Sequence, residues 1–249
     1  MSVLDHPIVT QRYFFPRETS LPGATRVPTD KGTLACWRSA PPSDRPVLLH
    51  FHGNGEVVRD WVDLLPRFAR RLGWEVFLAE YRGYGASTGT PALADMCEDL
   101  PNIARAIGVP TDRILPMGRS IGSLYAVEWV HRFPDAPGLI LESGIHDLLQ
   151  RLLLRMHPEE LGSTLEEMTA EVQARFDQGA KLAAFAGPTL ILHAAHDDLV
   201  TPDHAEANAA AAQDPELHLL PRGDHNSILA ANSADYLRLL ADFLARAAN

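Results

Sequence analysis

The chain has 249 residues, of which 46% are hydrophobic and 22% are charged, the proportions of an ordinary globular protein rather than a disordered or fibrous one. Its 32 acidic and 22 basic side chains give a formal net charge of -10, which argues against a nucleic-acid partner because phosphates need a basic face. No run approaches the roughly 20 apolar residues of a transmembrane helix, so no stable membrane insertion is expected.

Along the chain, short apolar runs alternate with longer segments of helical period, a pattern that predicts an α/β protein with a mostly parallel sheet flanked by helices. An antiparallel edge hairpin is predicted over residues 25–38, with Lys31-Gly32 as its turn. The other predicted strands are residues 47–51, 76–79, 114–117, 139–141, 190–192 and 217–220. The predicted helices are residues 61–72, 93–107, 121–133, 202–213 and 227 to the carboxyl end.

One connection interrupts this alternation, because the segment between Leu141 and Leu190 is longer than a single crossover helix needs. Apolar side chains recur at three- and four-residue steps over residues 145–156 and 165–176, which predicts two amphipathic helices. We expect them to form a small helical cap over about residues 145–187, inserted after the strand that ends near Glu142. The whole chain, residues 1–249, is then a single domain.

The strongest chemical signal is Gly118-Arg119-Ser120-Ile121-Gly122, which follows a predicted strand and opens a predicted helix. In that setting the glycines permit the tight turn that exposes a nucleophilic serine. The alternative is a serine that only caps the helix. We interpret Ser120 as a nucleophile, and such a hydroxyl needs a base, an acid that orients the base, and donors for the oxyanion.

Two further blocks accompany this elbow. They are Phe51-His52-Gly53-Asn54-Gly55 and Tyr81-Arg82-Gly83-Tyr84-Gly85-Ala86-Ser87. Together the three blocks resemble the α/β-hydrolase superfamily, and more narrowly its serine aminopeptidase-like branch of bud-emergence-type proteins and related abhydrolases. With two blocks further along the chain, the resemblance covers most of residues 46–249. It implies the α/β-hydrolase fold and a serine hydrolase.

The same resemblance assigns the acid and the base. Residues 193–200 are similar to the family's His-Gly-x-x-Asp-x-x-Val block, whose register selects Asp197. Ala194 stands where that block usually has glycine, which leaves Asp198 as a rival. His225 follows the last predicted strand, where the family has its base, so the expected order is serine, acid, histidine. Glu142, at another strand end, is a second candidate acid.

The oxyanion hole is expected to consist of two backbone N–H groups. One belongs to Ile121, the residue after the nucleophile, and the other comes from the loop after His52-Gly53. For that second donor we choose Asn54, with Gly55 behind it.

The expected reaction is the cleavage of a carboxylic ester, or less readily a thioester or an amide, through an acyl-enzyme on Ser120. His225 takes the serine proton and later returns it to the leaving group, so activity is expected to fall as acid protonates the imidazole. The expected partner is a small-molecule ester or acyl substrate, and neither a metal nor an organic cofactor is required.

Two rival interpretations concern particular side chains. His50 and His52, two apart on a predicted strand, together with His193 and His196, suggest a metal hydrolase. No acidic metal motif accompanies them, so ordinary core and turn histidines are favoured. The aromatic and basic side chains of residues 81–84 suggest a stacking platform or an anion clamp. A loop that supports the site, with Arg82 bound to backbone carbonyls, is favoured instead.

Other classes of function remain open. The fold alone does not establish catalysis, so a non-catalytic binding protein is one alternative. An aminopeptidase or amidase is the other.

The setting of the protein is inferred from its composition. Cys36 and Cys97 lie far apart and outside any metal-ligand spacing, so we interpret both as packing thiols in a reducing compartment. The first residues lack the basic start and apolar stretch of a signal peptide. A cytoplasmic protein, either a monomer or a homodimer, is the expectation.

Overall fold

The computed structural model describes residues 2–248. Met1 and Asn249 lie outside the described residues. The predicted single domain, residues 1–249, and the predicted final helix, from residue 227 to the carboxyl end, therefore each include a residue that is not described. The division of the chain into a single domain stays a prediction.

The protein is built on one eight-stranded sheet with the order β1-β2-β4-β3-β5-β6-β7-β8. The strands are β1 (Thr25–Thr29), β2 (Gly32–Arg38), β3 (Val47–Phe51), β4 (Glu75–Ala79), β5 (Ile114–Arg119), β6 (Leu139–Glu142), β7 (Pro188–Ala194) and β8 (Asp214–Leu220). β2 pairs antiparallel with both β1 and β4, and all pairs from β4 through to β8 are parallel. The α/β prediction and the edge hairpin are confirmed.

Helices flank this sheet. They are α1 (Pro7–Tyr13), α2 (Leu64–Arg71), α3 (Leu100–Ile107), α4 (Gly122–Arg132), α5 (Leu148–Leu153), α6 (Leu165–Phe176), α7 (Gln178–Ala184), α8 (Pro202–Ala211), α9 (Ile228–Ala231) and α10 (Ser233–Ala247). Among residues 2–248, no helix has the length and apolar character needed to cross a bilayer.

Two apolar cores lie on opposite faces of the sheet, and β3 contributes side chains to both. Val47, Leu49 and Phe51 pack into one core, whereas Leu48 packs into the other. Successive side chains of a strand point to opposite faces, so a strand covered on both faces is apolar at nearly every position. This explains why the central strands appear in the sequence as continuous apolar runs.

The parallel register brings the carboxyl ends of the central strands to one edge. Phe51 at the end of β3 lies opposite Gly118 of β5, and Arg119 lies opposite Glu142 at the end of β6. Ala194 of β7 pairs with Leu220 of β8. The loops that follow β3, β5, β7 and β8 therefore meet at this edge, which is where a parallel α/β sheet usually holds its ligand.

The segment between β6 and β7 differs from its prediction. The helix expected over residues 145–156 is confined to α5, because Asp147 caps its start by accepting from the N–H of Gln150 at 2.9 Å. It has ended before Pro158, which disfavours helical backbone at the residue that precedes it. α6 matches its prediction over residues 165–176. α7 was not predicted because Leu182 is its single large apolar side chain, so its sequence shows no apolar stripe.

The first residues also form structure that the sequence pattern did not predict. α1 buries Val9 and Tyr13, and the backbone N–H of Val3 donates to Glu171 of α6 at 2.8 Å. An ion pair between Arg12 and Glu160, at 2.8 Å, adds a second link. The amino-terminal segment is thus attached to the helices between β6 and β7.

Both cysteines are free and buried, as expected of packing thiols. Burial raises the pKa of the Cys36 thiol to about 12, so this group is a poor nucleophile at neutral pH.

Candidate active site

Ser120 occupies a strained turn between β5 and α4. Its φ of 52° lies in the left-handed region, and among residues 2–248 only Ser143 is another non-glycine residue with positive φ. Such backbone is uncommon for a residue with a side chain and persists only where its surroundings enforce it. Here the N–H of Ser120 donates to the carbonyl of Glu142 at 2.9 Å.

The two glycines of the elbow are required by close backbone contacts. A Cβ on Gly118 would lie 2.4 Å from the carbonyl oxygen of Gly122, and one on Gly122 would lie 2.2 Å from the carbonyl oxygen of Phe51. Because these neighbours are backbone atoms, they cannot move aside as a flexible side chain can. The spacing Gly-x-Ser-x-Gly thus follows from how tightly the turn packs against β3.

The structure brings the serine, the histidine and the aspartate together. The hydroxyl of Ser120 lies 3.0 Å from Nε2 of His225, and Nδ1 of His225 lies 2.7 Å from Oδ2 of Asp197. All three residues are buried. This is the arrangement in which a serine can lose its proton to an imidazole that a carboxylate orients.

The loop after β7 fixes the Asp197 carboxylate. Oδ1 accepts from the backbone N–H groups of Leu199 at 3.0 Å and Val200 at 2.8 Å, and Nε2 of His193 lies 3.4 Å from Oδ2. Burial favours the neutral acid, but the hydrogen bonds with His193, His225 and Val200 outweigh it. Together they hold the pKa of Asp197 well below its ordinary value. The carboxylate is therefore ionised throughout the neutral range.

The two rival acids lie elsewhere. Asp198 is exposed to solvent. Glu142 is buried but faces away from the imidazole, since its carboxylate pairs with Arg119 at 3.1 Å and accepts from the Tyr236 hydroxyl at 2.5 Å. Burial raises the pKa of Glu142 above its ordinary value. Of the three candidates, only Asp197 contacts His225.

Arg119 connects several parts of the site beneath the elbow. Besides Glu142, it pairs with Glu56 at 2.6 Å, and its Nη2 donates to the carbonyl of His225 at 2.7 Å. Glu56 in turn accepts from the backbone N–H of Gly53 at 2.8 Å. One buried guanidinium thus links the loop after β3, the nucleophile turn and the histidine loop. The sequence offered no signal for this role beyond the position of Arg119 within the motif.

Asn54 and Ile121, whose backbone N–H groups were the expected oxyanion donors, both line the cleft beside Ser120. Within residues 2–248, neither N–H is hydrogen-bonded to an acceptor of the protein. The side chain of Asn54 is held from behind, because its Oδ1 accepts from the N–H of Phe15 at 2.9 Å and from the Tyr84 hydroxyl at 2.8 Å. Two unpaired donors beside a nucleophile can receive an oxyanion.

His52 supports this loop. Its Nδ1 lies 2.8 Å from the carbonyl of Gly53, and its Nε2 lies 2.6 Å from a carboxylate oxygen of Glu80. A carbonyl can only accept, so Nδ1 carries a proton, and the carboxylate favours a second proton on Nε2. Burial alone would lower the pKa of His52, but the charge and hydrogen bond of Glu80 raise it above the ordinary value.

The histidines that suggested a metal site are dispersed. His50 packs on the ring of Trp61 with centroids 4.3 Å apart, and burial lowers its pKa. His193 lies 2.7 Å from the carbonyl of Val200, and His196 is exposed. Within residues 2–248, no group of three or more His, Cys, Asp or Glu side chains is arranged to hold a metal ion.

The loop after β4 has a structural role that differs in part from its prediction. Arg82 forms a two-pronged pair with the buried Asp99, with distances of 2.8 and 2.6 Å, and makes only one bond to a backbone carbonyl, that of Asp95 at 3.2 Å. Tyr81 donates to the carbonyl of His52 at 2.7 Å. These side chains therefore support the site rather than form a platform for a ligand.

A small cleft of about 110 Å³ opens over Ser120 and His225. Its walls include Tyr13 and Phe15 from the amino-terminal segment and two arginines, Arg151 and Arg155, from the segment between β6 and β7. Among the described residues, 2–248, no aspartate or glutamate lines it. A cleft of this size is far smaller than the roughly 300–1,000 Å³ of sites for drug-sized ligands.

Comparison with known proteins agrees with this geometry. Residues 42–177, more than half of the chain, match the family described as serine aminopeptidase, S33. The chain belongs to this family.

Two relatives are similar to this chain over most of its length. Protein bem46 of Schizosaccharomyces pombe is 26% identical over 225 residues, which cover 87% of this chain and 74% of that protein. The uncharacterized protein YfhR of Escherichia coli is 27% identical over 227 residues, with 85% and 75% covered. The predicted resemblance to bud-emergence-type α/β-hydrolases is confirmed.

Solved structures agree on the fold. Est1E from Butyrivibrio proteoclasticus, with ferulic acid bound, superposes with a TM-score of 0.71 at 18% identity and covers 89% of this chain and 96% of its own. An esterase from Pyrococcus furiosus gives a TM-score of 0.71 at 16% identity, with 95% and 98% covered. At such identities the likeness concerns the fold alone.

The S33 match and the sequence pattern account for different parts of this site. The matched range contains Asn54, Ser120 and Ile121 but ends before Asp197 and His225. For the arginines of the cleft wall and for the amino-terminal segment, sequence reasoning supplied no signal. The stripe of leucines around the two arginines predicted packing alone, and only the folded chain turns these cations toward the serine.

Proposed function

We propose that this chain is a serine hydrolase that cleaves a carboxylic ester through an acyl-enzyme on Ser120. The observation that carries the proposal is the line of contacts from the Ser120 hydroxyl to His225, at 3.0 Å, and on to Asp197, at 2.7 Å. These contacts form at the floor of a cleft, so the hydroxyl lies where a substrate can reach it.

In the proposed reaction, the Ser120 oxygen attacks the ester carbonyl while Nε2 of His225 takes the hydroxyl proton. The carbonyl oxygen becomes an oxyanion and accepts from the N–H groups of Asn54 and Ile121. When the C–O bond to the alcohol breaks, His225 returns the proton to the departing oxygen. Water then attacks the acyl-serine with the same histidine as base, which releases the acid and restores the hydroxyl.

Asp197 keeps the imidazole in the tautomer that this reaction needs. Because its carboxylate accepts from Nδ1, the proton of neutral His225 stays on Nδ1 and Nε2 remains free to receive the serine proton. The ionised carboxylate also stabilises the imidazolium that forms. The low pKa of Asp197 supports this role, since the acid stays charged when His225 becomes protonated.

The cleft lining favours an ester over the amino terminus of a peptide. An aminopeptidase must hold a substrate ammonium group, and a carboxylate is the side chain suited to that task. Here the lining carries arginines and no acidic side chain. The esterases among the structures of similar fold are consistent with ester cleavage, although the family's description names aminopeptidases.

An active-site-directed fluorophosphonate tests the proposal directly. The folded protein should be labelled with one equivalent, and Ser120→Ala should abolish labelling, because the probe reacts only with an activated serine. Ser20→Ala, which alters an exposed serine outside the site, should leave labelling unchanged.

The same experiment distinguishes the alternatives. A folded protein that takes no label, or one whose label survives Ser120→Ala, would support the non-catalytic binding protein instead. A panel of p-nitrophenyl esters of increasing acyl length, run beside aminoacyl p-nitroanilides, then separates an esterase from an aminopeptidase. Faster cleavage of the anilides would contradict the ester assignment.

A further inference from the structure

Arg151 and Arg155 are two cations without acidic partners at the cleft. Both side chains are partly buried, and both line the same small space as Ser120 and His225. Among the described residues 2–248, neither guanidinium forms an ion pair, whereas their neighbour Arg12 is matched by Glu160 at 2.8 Å.

The third arginine of the cleft differs from these two in its charge balance. Arg119 is buried against the carboxylates of Glu56 and Glu142, so its charge is compensated within the protein. Arg151 and Arg155 therefore supply the uncompensated charge of the lining. In a chain with a net charge of -10, a cleft with no acid and two free cations is a local reversal of sign.

Arg155 is also held in place. Its guanidinium lies 5.2 Å from the ring centroid of Phe15 and 6.0 Å from that of Tyr13, contacts that stabilise a cation over an aromatic face. Its backbone carbonyl accepts from Arg12 at 3.3 Å. A planar guanidinium positioned in this way is suited to pair with a carboxylate through two parallel hydrogen bonds.

We infer that the substrate is a short ester that carries a carboxylate, which Arg151 and Arg155 bind while Ser120 attacks the ester carbon. This inference rests on the proposed function and names its substrate class. Because Arg151 and Arg155 line the same small cleft as Ser120, the carboxylate and the ester are expected to be separated by few atoms. The two arginines thereby select for a second, charged group on the substrate.

Matched substrates test the inference. Mono-p-nitrophenyl glutarate carries a carboxylate on its acyl side, and p-nitrophenyl methyl glutarate has the same chain with that charge removed. 4-Carboxyphenyl butyrate and its methyl ester form the equivalent pair on the alcohol side. The enzyme-free rate is subtracted, because a neighbouring carboxylate accelerates spontaneous hydrolysis of such esters.

The expected result is a preference for the charged ester in one of the two pairs, on the order of tenfold in kcat/KM and expressed mainly in KM. Arg151→Gln and Arg155→Gln should each reduce that preference, and the double variant should remove it. Lysine at either position should restore most of it, because the charge is retained. Added salt should weaken the preference.

Arg238→Gln is the matched control. It removes the same charge from an exposed arginine of α10 that pairs with Asp235 and Asp242 and lies outside the cleft, so it should leave the ratio unchanged. If both pairs give equal rates, or if the glutamine variants keep the preference, the inference is wrong.

A binding measurement separates this inference from the proposed function. In Ser120→Ala, calorimetry with monomethyl glutarate should detect binding that Arg151→Gln and Arg155→Gln weaken, whether or not the parent protein hydrolyses an ester. Ester turnover without such binding or preference would overturn the inference alone. Absence of probe labelling together with arginine-dependent binding would overturn the proposed reaction but retain the anion site.

Discussion

Asp197→Asn provides the sharpest test of the proposed reaction, because the surrounding hydrogen bonds dictate how the new amide must orient. Oδ1 of Asp197 accepts from the N–H groups of Leu199 and Val200, so the asparagine carbonyl oxygen must take that position. The reverse orientation would leave both donors facing an NH₂ group, at a cost of about 1–3 kcal/mol for the buried N–H of Val200 and less for the partly exposed N–H of Leu199.

The amide NH₂ group then faces Nδ1 of His225, where the carboxylate oxygen lies at 2.7 Å in the parent. An NH₂ group donates, so Nδ1 must accept and the imidazole proton moves to Nε2. In that tautomer Nε2 can no longer receive the proton of Ser120. The expected loss is about three to four orders of magnitude in kcat, which corresponds to roughly 4–5.5 kcal/mol of transition-state free energy.

The assay is steady-state hydrolysis of the best p-nitrophenyl ester, with circular dichroism to establish that each variant is folded. Asp198→Asn is the matched control, since it changes the adjacent, exposed acid, and it should retain parental kcat. Glu142→Gln tests the remaining rival. If Glu142→Gln silenced the folded enzyme while Asp197→Asn left it active, the assignment of the acid would be refuted.

Two further predictions concern the scaffold of the site. Gly122→Ala should lower the free energy of unfolding by about 3 kcal/mol or more, because its Cβ would lie 2.2 Å from a backbone oxygen. Gly179→Ala in α7, where a Cβ would make only ordinary contacts, should change the free energy of unfolding by no more than about 1 kcal/mol. Urea titrations measure both values, and equal losses would contradict this account of the elbow. The raised pKa of His52 means that its charged form stabilises the fold below the unfolded value of 6.5, and that this contribution is lost as the pH rises through the folded value. Glu80→Gln should therefore destabilise the protein more at about pH 6 than at about pH 9, and a pH-independent difference would contradict a charged His52.

The sequence predicts the central sheet well because each strand is covered on both faces. The run of residues 47–51 is apolar for that reason, and its predicted bounds coincide with β3. The helix after the nucleophile was predicted within one residue at each end. A strand that is buried on both faces can therefore be predicted from its own run of apolar residues.

Prediction was weaker where structure depends on contacts between distant segments. The range 93–107 contains a 3-10 turn, Asp95–Asp99, before α3 begins, and its apolar spacing does not distinguish the two helical forms. α1 was not predicted because its sequence has no clear helical spacing of apolar residues. Contacts with distant residues, such as the ion pair between Arg12 and Glu160, hold it in place. Phe15 is held at the site by distant residues, since its N–H donates to Asn54, 39 residues away along the chain, and to the Tyr84 hydroxyl.

The residues of the site also differ in how well the sequence predicts them. Ser120 was found from its Gly-x-Ser-x-Gly pattern between a strand and a helix, whereas Asp197 and His225 were assigned from the resemblance to the family's motifs. All three follow strands whose carboxyl ends lie at one edge of the sheet, and the structure brings them together. Their catalytic roles stay a prediction. Arg151 and Arg155 lie among leucines on a short helix and just beyond it, where a charged residue ordinarily marks the solvent face. The aromatic rings of the amino-terminal segment contact Arg155 at the cleft, and this contact between distant segments has no counterpart in the local sequence pattern. The proposed nucleophile, base and acid can therefore be predicted from local motifs, whereas the proposed selectivity for a charged substrate would depend on how the amino-terminal segment packs against the segment between β6 and β7.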